Sequence, residues 1–241
     1  IAGRSAMLHD HPHNAGPLGV IGSSSANMLA EEADVVLAVG TRLQDFTTGS
    51  WSVFGNEQMR LIAINAARYD AHKHRALSVV GDALAGIEEL GQALEGWKAP
   101  DPWISKSRSL YAKWNTTVEQ HSGPTTDVPP SYAHVIGAVN RVCDETDLAL
   151  TAAGGFPGEL CKNWKTKSSG TFDCEFGFSC MGYEIAGGWG AKMADPDRDV
   201  IVFVGDGSYL MMNSDIYSSV LTGHKLIVVV CDNGGFSVIN R

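Results

Sequence analysis

The 241-residue sequence predicts an α/β protein of two doubly wound parallel-sheet domains, the second of them cut short. Three observations carry that reading. Short apolar runs rich in β-branched residues alternate with segments of helical periodicity, and the runs are apolar at consecutive positions, as expected of strands buried on both faces. The alternation occurs twice, on either side of a proline-rich interruption. The last strand pattern leads almost at once to Val238-Ile239-Asn240-Arg241, where a domain does not normally finish. The chain opens on Ile1 with no signal-peptide pattern, so it reads as a piece of a longer protein.

In the first unit, residues 1–97, Ser23 to Ala33 has a serine-rich start followed by helix formers. Asp34 to Gly40, Arg60 to Asn65 and Ala76 to Val80 are strands, and Ala83 to Trp97 has apolar residues at helical spacing. Residues 98–130 form a linker: Ala99-Pro-Asp-Pro102 breaks the preceding helix, Ile104 to His121 is a polar helix, and Ser122 to Pro130 is turn-rich. The second unit, residues 131–241, runs through a helix (Tyr132 to Cys143), a strand (Leu148 to Ala152), a helix (Tyr183 to Met193) and a strand (Val200 to Val204). A helix (Tyr209 to Leu221) and a strand (Leu226 to Cys231) follow.

Composition narrows the function classes. Lys and Arg total 18 against 27 for Asp and Glu, a formal charge of −9, which excludes the basic footprint of a nucleic-acid binder. No apolar run approaches the ~18–20 residues of a membrane span. The five cysteines are widely spaced with no CxxC pair, which argues for a reducing, cytoplasmic setting and against a disulfide framework or zinc knot. His9, His11 and His13 alternate, but in a Pro- and Gly-rich loop without cysteines they read as an exposed polar segment rather than a metal site, with a substrate-facing role as the alternative. Pro17 to Ser24 resembles a dinucleotide loop only in part, lacking a complete GxGxxG, and is assigned a structural role.

The chemistry concentrates where Val200-Ile-Val-Phe-Val204 runs into Gly205-Asp206-Gly207-Ser208. A buried strand there delivers a carboxylate to a turn whose glycines allow close backbone approach. Taken alone, that triplet is an ordinary turn. Farther along, a second buried strand ends in Asp232-Asn233-Gly234-Gly235. In a parallel βαβ unit the residues past the carboxyl ends of neighbouring strands share the ligand crevice, so Asp206 and Asn233 converge. A carboxylate, an amide oxygen and a backbone carbonyl make an incomplete, all-oxygen shell suited to Mg²⁺ or Ca²⁺ when phosphates complete it. Thr151-Ala-Ala-Gly-Gly-Phe156, also following a strand, can cradle an anion on its amides.

GDGS followed by an asparagine 27 positions beyond the aspartate resembles the signature of thiamine diphosphate enzymes. That resemblance implies thiamine diphosphate and Mg²⁺ as cofactors, with Asp206, Asn233 and the carbonyl of Gly235 holding the metal. Asp232 departs from the Asn-Asn of many members at the position that is not a ligand. The resemblance further implies that Gly155, Phe156, Gly205, Gly207 and Ser208 line the diphosphate, and that the segment from Phe178 to Tyr183, including Ser179, supports the rings. Met181 matches the apolar residue that enforces a bent cofactor; as a helix-flanking residue it can equally be core. Glu159 and Glu184 flank these loops and have two readings, as groups that support the cofactor-contacting residues from behind or as a plain solvated face, of which the solvated face is preferred for each. The first unit resembles the family's middle domain, and no FAD is expected there.

Within the family, Ala153 to Leu160, Glu175 to Glu184 and Leu210 to Tyr217 are most similar to the branch that opens a cyclic diketone in inositol breakdown. The segments Gly22 to Asn27 and Val39 to Trp51 point the same way. The similarity implies hydrolytic C–C cleavage of a polyol-derived trihydroxycyclohexane-1,2-dione to a 5-deoxy-glucuronate. The alternatives are an acetolactate-synthase-like carboligase or 2-oxo-acid decarboxylase, and a non-catalytic binding module. The family also implies a homodimer or tetramer with its site shared across a dimer. The activating glutamate belongs to an N-terminal pyrimidine-binding domain that is not among these 241 residues.

Overall fold

The structure, a computed structural model, describes residues 2–239; the chain-end residues Ile1, Asn240 and Arg241 used in the sequence reading lie outside them. The chain divides into two units, one formed by residues 18–114 and the other by residues up to 17 together with those from 115 on. The sequence reading places residues 2–17 with the first unit, yet they pack on the second. Arg4 explains part of this: its Nε donates to the Cys161 carbonyl (3.1 Å) and its Nη2 to that of Trp164 (2.6 Å). Ser5 Oγ donates to Phe172 O and the His9 amide to Thr166 O.

The first unit contains α1 (Ser24–Glu32), β1 (Val35–Val39), α2 (Asp45–Thr48), β2 (Arg60–Asn65), α3 (Arg68–Ala71), β3 (Leu77–Val80) and α4 (Ala83–Ala93). Helix α1 starts where expected because the Ser23 side chain accepts the Ala26 N–H, satisfying one of the helix's free donors. Asp82 does the same for α4 through Ala85. Parallel strands lie in the order β1-β2-β3, with Val35 opposite Arg60 and Ile62 opposite Leu77. One face buries Ala38, Leu43, Leu61 and Ala63. The other face departs from the expected two-sided burial: Leu37 and Leu77, flanking Ile62 in one row, are 40% and 68% exposed.

Helix α5 (Asp101–Ser122) begins at the proline cluster, with Pro102 in the first turn, where its missing N–H costs no hydrogen bond. The second unit then runs α6 (Tyr132–Val142), β4 (Leu148–Thr151), α7 (Gly155–Asn163), β5 (Phe172–Cys174), α8 (Tyr183–Ala194), β6 (Val200–Gly205), α9 (Asp206–Met212), α10 (Ser214–Leu221) and β7 (Ile227–Cys231). The expected helix over 209–221 is thus two helices meeting at Asn213, while α7 and β5 have no counterpart in the sequence reading.

All four strands are parallel, in the order β5-β4-β6-β7. Central β6 is buried from Val200 to Val204. Val200, Val202 and Val204 join Leu148, Leu150 and Ile185 in the core beneath α8. On the opposite face Phe203 meets Phe156 and Trp164 edge-on, with centroids 5.8 and 5.4 Å away. A rigid sheet covered on both faces by α7 and α8 therefore carries the loops at its carboxyl ends.

Candidate functional site

Those loops form the site. Strand β6 pairs Gly205 with Cys231 of β7, so Asp206 and Asn233 leave adjacent strands at nearly the same height. Gly205 is the N-cap of α9 and Asp206 occupies its first turn. Across the crevice Asp232 turns back to accept the Gly234 N–H (2.9 Å), which commits this carboxylate to the turn and leaves Asn233 to face outward. Asn233 donates its Nδ2 to the Tyr132 hydroxyl, an orientation that keeps the acceptor Oδ1 available to a cation. Tyr132, at the start of α6, stacks on Phe156 with centroids 5.1 Å apart.

The anion cradle follows from β4. Thr151, fully buried, ties the strand end to β6 by donating to Phe203 O (3.0 Å). The chain then needs a positive φ at Gly154 (121°) to enter α7, a conformation that favours glycine. The first amides of α7 have no intrahelical acceptor. A third wall comes from residues 175–182, folded around Glu175, whose carboxylate accepts the Phe178 (2.9 Å) and Cys180 (2.7 Å) amides. Desolvation works to raise the Glu175 pKa, but the Phe178, Cys180 and Gly177 amides hold it below the usual value.

All ten residues singled out from the sequence line one cavity of about 250 Å³: Gly155, Phe156, Ser179, Met181, Gly205, Asp206, Gly207, Ser208, Asn233 and Gly235. Phe236 and Val238, which sequence reasoning did not single out for the site, also line it. A Cβ on Gly207 would lie 2.6 Å from Phe236 Cε1, and one on Gly155 would lie 2.9 Å from Val238 Cγ2. Their only sequence signal is that they follow Gly235. By contrast a Cβ on Gly205 or Gly235 would meet nothing within 4 Å, so backbone is open to a ligand on the metal side.

Among the described residues no three His, Cys, Asp or Glu side chains gather as a metal site, and His11 and His13 stay exposed. The donor set at Asp206, Asn233 and Gly235 is hard oxygen and incomplete, which fits a Mg²⁺ ion whose remaining ligands are phosphate oxygens. Glu159 pairs with Lys162 (3.2 Å) and is partly exposed, as expected. Glu184 is a correction: it is not solvated but wholly buried. Its position in the first turn of α8 resembles an ordinary exposed helix start; the carboxyl instead meets the amide of Gly182, two residues before it, and the hydroxyl of Ser208, which only the fold brings near.

Two family descriptions match this chain: the thiamine pyrophosphate enzyme central domain over residues 1–90, and the C-terminal thiamine pyrophosphate-binding domain over residues 152–241. The chain belongs to the thiamine pyrophosphate enzymes. Curated relatives named 3D-(3,5/4)-trihydroxycyclohexane-1,2-dione hydrolase, from Bacillus cereus (strain AH820) and Bacillus anthracis (strain A0248), are 37% identical across the whole chain. The chain spans 41% of their length. The C-terminal match begins at Ala152 and covers every residue that lines the cavity. No helix among the described residues is long and apolar enough to cross a membrane.

Proposed function

We propose that the chain forms the diphosphate- and metal-binding part of a thiamine diphosphate- and Mg²⁺-dependent hydrolase that opens a trihydroxycyclohexane-1,2-dione by C–C cleavage. The observation that carries this reading is the single cavity lined by all ten motif residues, in a chain 37% identical over its length to hydrolases named for that dione. When bound, thiamine diphosphate supplies a nucleophilic carbon and an electron sink for the carbon freed by cleavage.

The chain's own residues bind and orient. Asp206, Asn233 and the Gly235 carbonyl hold Mg²⁺. The amides at the start of α7, with Gly207 and Ser208, receive the diphosphate. Met181 and Phe156 supply apolar surface that excludes water from the rings. The resemblance places the activating glutamate outside these residues, on a domain contributed across a homodimer, and the 241-residue chain alone is therefore expected to show no turnover. A cytoplasmic setting suits the five unpaired cysteines.

Calorimetric titration of the complete protein with thiamine diphosphate and Mg²⁺ tests the site. Asp206→Ala is expected to weaken Mg²⁺-dependent binding at least about 100-fold, because it removes the one charged metal ligand. Unchanged binding in that variant rejects the assignment. Turnover of the cyclic dione but not of pyruvate supports the hydrolase over a carboligase or decarboxylase, and the reverse result favours those.

A further inference from the structure

Among the described residues Glu184 is the one buried carboxyl that the proposed chemistry leaves without a task. It is 0% exposed. Oε2 accepts the Gly182 N–H at 2.8 Å, and Oε1 has no hydrogen-bond partner. The Ser208 hydroxyl lies beside the carboxyl, while no cation pairs with it among the described residues. A buried ionised carboxylate with an unpaired oxygen is costly, and burial accordingly raises the Glu184 pKa despite the Gly182 and Ser208 contacts. Burial favours the protonated form of this carboxyl, and in that form it has one donor to give.

Both contacts lead to the cavity. Gly182 follows Met181 and sits at φ 94°, so the amide held by Glu184 fixes the turn that carries Met181. Ser208 lines the cavity and is itself only 2% exposed. We propose that Glu184 is a positioning residue for the diphosphate: its buried carboxyl locks the Met181–Gly182 turn through Oε2 and, once an anion occupies the cavity, donates from the otherwise unpartnered Oε1 to Ser208, so that the serine hydroxyl turns its own proton toward a phosphate oxygen. A neutral group there also adds no negative charge behind an anion. The proposal rests on the assignment of the cavity to thiamine diphosphate.

The test is calorimetric titration of the complete protein with thiamine diphosphate at saturating Mg²⁺, with thermal melting in parallel. Glu184→Gln preserves an acceptor for Gly182 and a donor for Ser208, and is expected to bind within about threefold of wild type. Glu184→Leu removes both and is expected to bind at least about tenfold more weakly in protein that the parallel melt shows to be folded at the temperature of the titration, the orphaned Gly182 N–H lowering its melting temperature as well. Ser208→Ala is expected to weaken binding similarly, and adding Glu184→Leu to it is expected to cost less than about threefold more. Wild-type affinity in Glu184→Leu, or independent effects in the double variant, overturns the proposal. Should Glu184→Leu fail to fold, a loss of tenfold or more in Glu184→Gln overturns it alone. Absence of binding in wild type rejects the cofactor assignment and this proposal together, whereas a failure confined to the variants' pattern leaves the assignment standing.

Discussion

Acidic residues around the cavity differ according to what each side chain can reach. Asp206 borders the cavity at a helix start, Asp232 folds back on the Gly234 amide, Glu175 gathers the amides of its own loop, and Glu184 is sealed beneath Ser208. The juxtaposition of Asp206 and Asn233 was legible in the sequence because two apolar runs fix where their strands end, and the register then sets them side by side. Nothing local marks Glu184. Tyr183 offers a test at this scale: burial, and its hydrogen bond to Asp173 (2.9 Å), push its pKa from 10.0 to about 12. The folded state thus holds the phenolic proton more tightly than the unfolded one. Its contribution is complete below pH 10 and is lost as pH rises toward 12. Denaturant unfolding of wild type and Tyr183→Phe over roughly pH 9 to 12 is expected to show a shallower alkaline loss in the variant; equal slopes would remove Tyr183 from the account.

At the scale of elements, the strands with long apolar runs and the helices with serine or aspartate caps were readable, and the exceptions have physical reasons. Helix α7 begins Gly-Phe-Pro-Gly, a poor helix former by propensity, and exists because Phe156 and Leu160 bury against the sheet. Strand β5 spans only three residues, too few to show a period. Helix α8 reads as glycine-rich because it must approach the sheet closely: a Cβ on Gly188 would lie 2.4 Å from Cγ2 of Val202, itself wholly buried. Gly188→Ala is therefore expected to destabilise the second unit by about 1–3 kcal/mol, through overpacking that outweighs the gain in helix propensity. Urea unfolding measures this, and a stabilised variant would contradict the close approach.

For the whole molecule, the sequence sufficed for the family and the cofactor domain, since both follow from motifs distributed from Thr151 to Gly235. It could not indicate which surfaces remain open. Tyr217, Val220 and Leu221 form one stripe on α10, each 68% exposed, and lie at the i, i+3, i+4 spacing of a single helix face. The homo-oligomer implied by the resemblance would need apolar surface of this kind. Replacing Val220 by Glu and Leu221 by Lys is expected to lower the association state of the complete protein in sedimentation without altering its circular dichroism; unchanged sedimentation would place the contact elsewhere.

The docking of Arg4 and Ser5 onto residues 161–172 also imposes a timetable. Their partners lie 157 to 167 positions later in the chain. At translation rates of about 5–20 residues per second, the opening segment waits on the order of 10–30 s after its own synthesis before those carbonyls are made. During that interval residues 18–114 can complete their local sheet, whereas the second unit, which is discontinuous, is joined by a segment that emerged long before the rest of it. Birth order and assembly order thus run in opposite directions for the first seventeen residues.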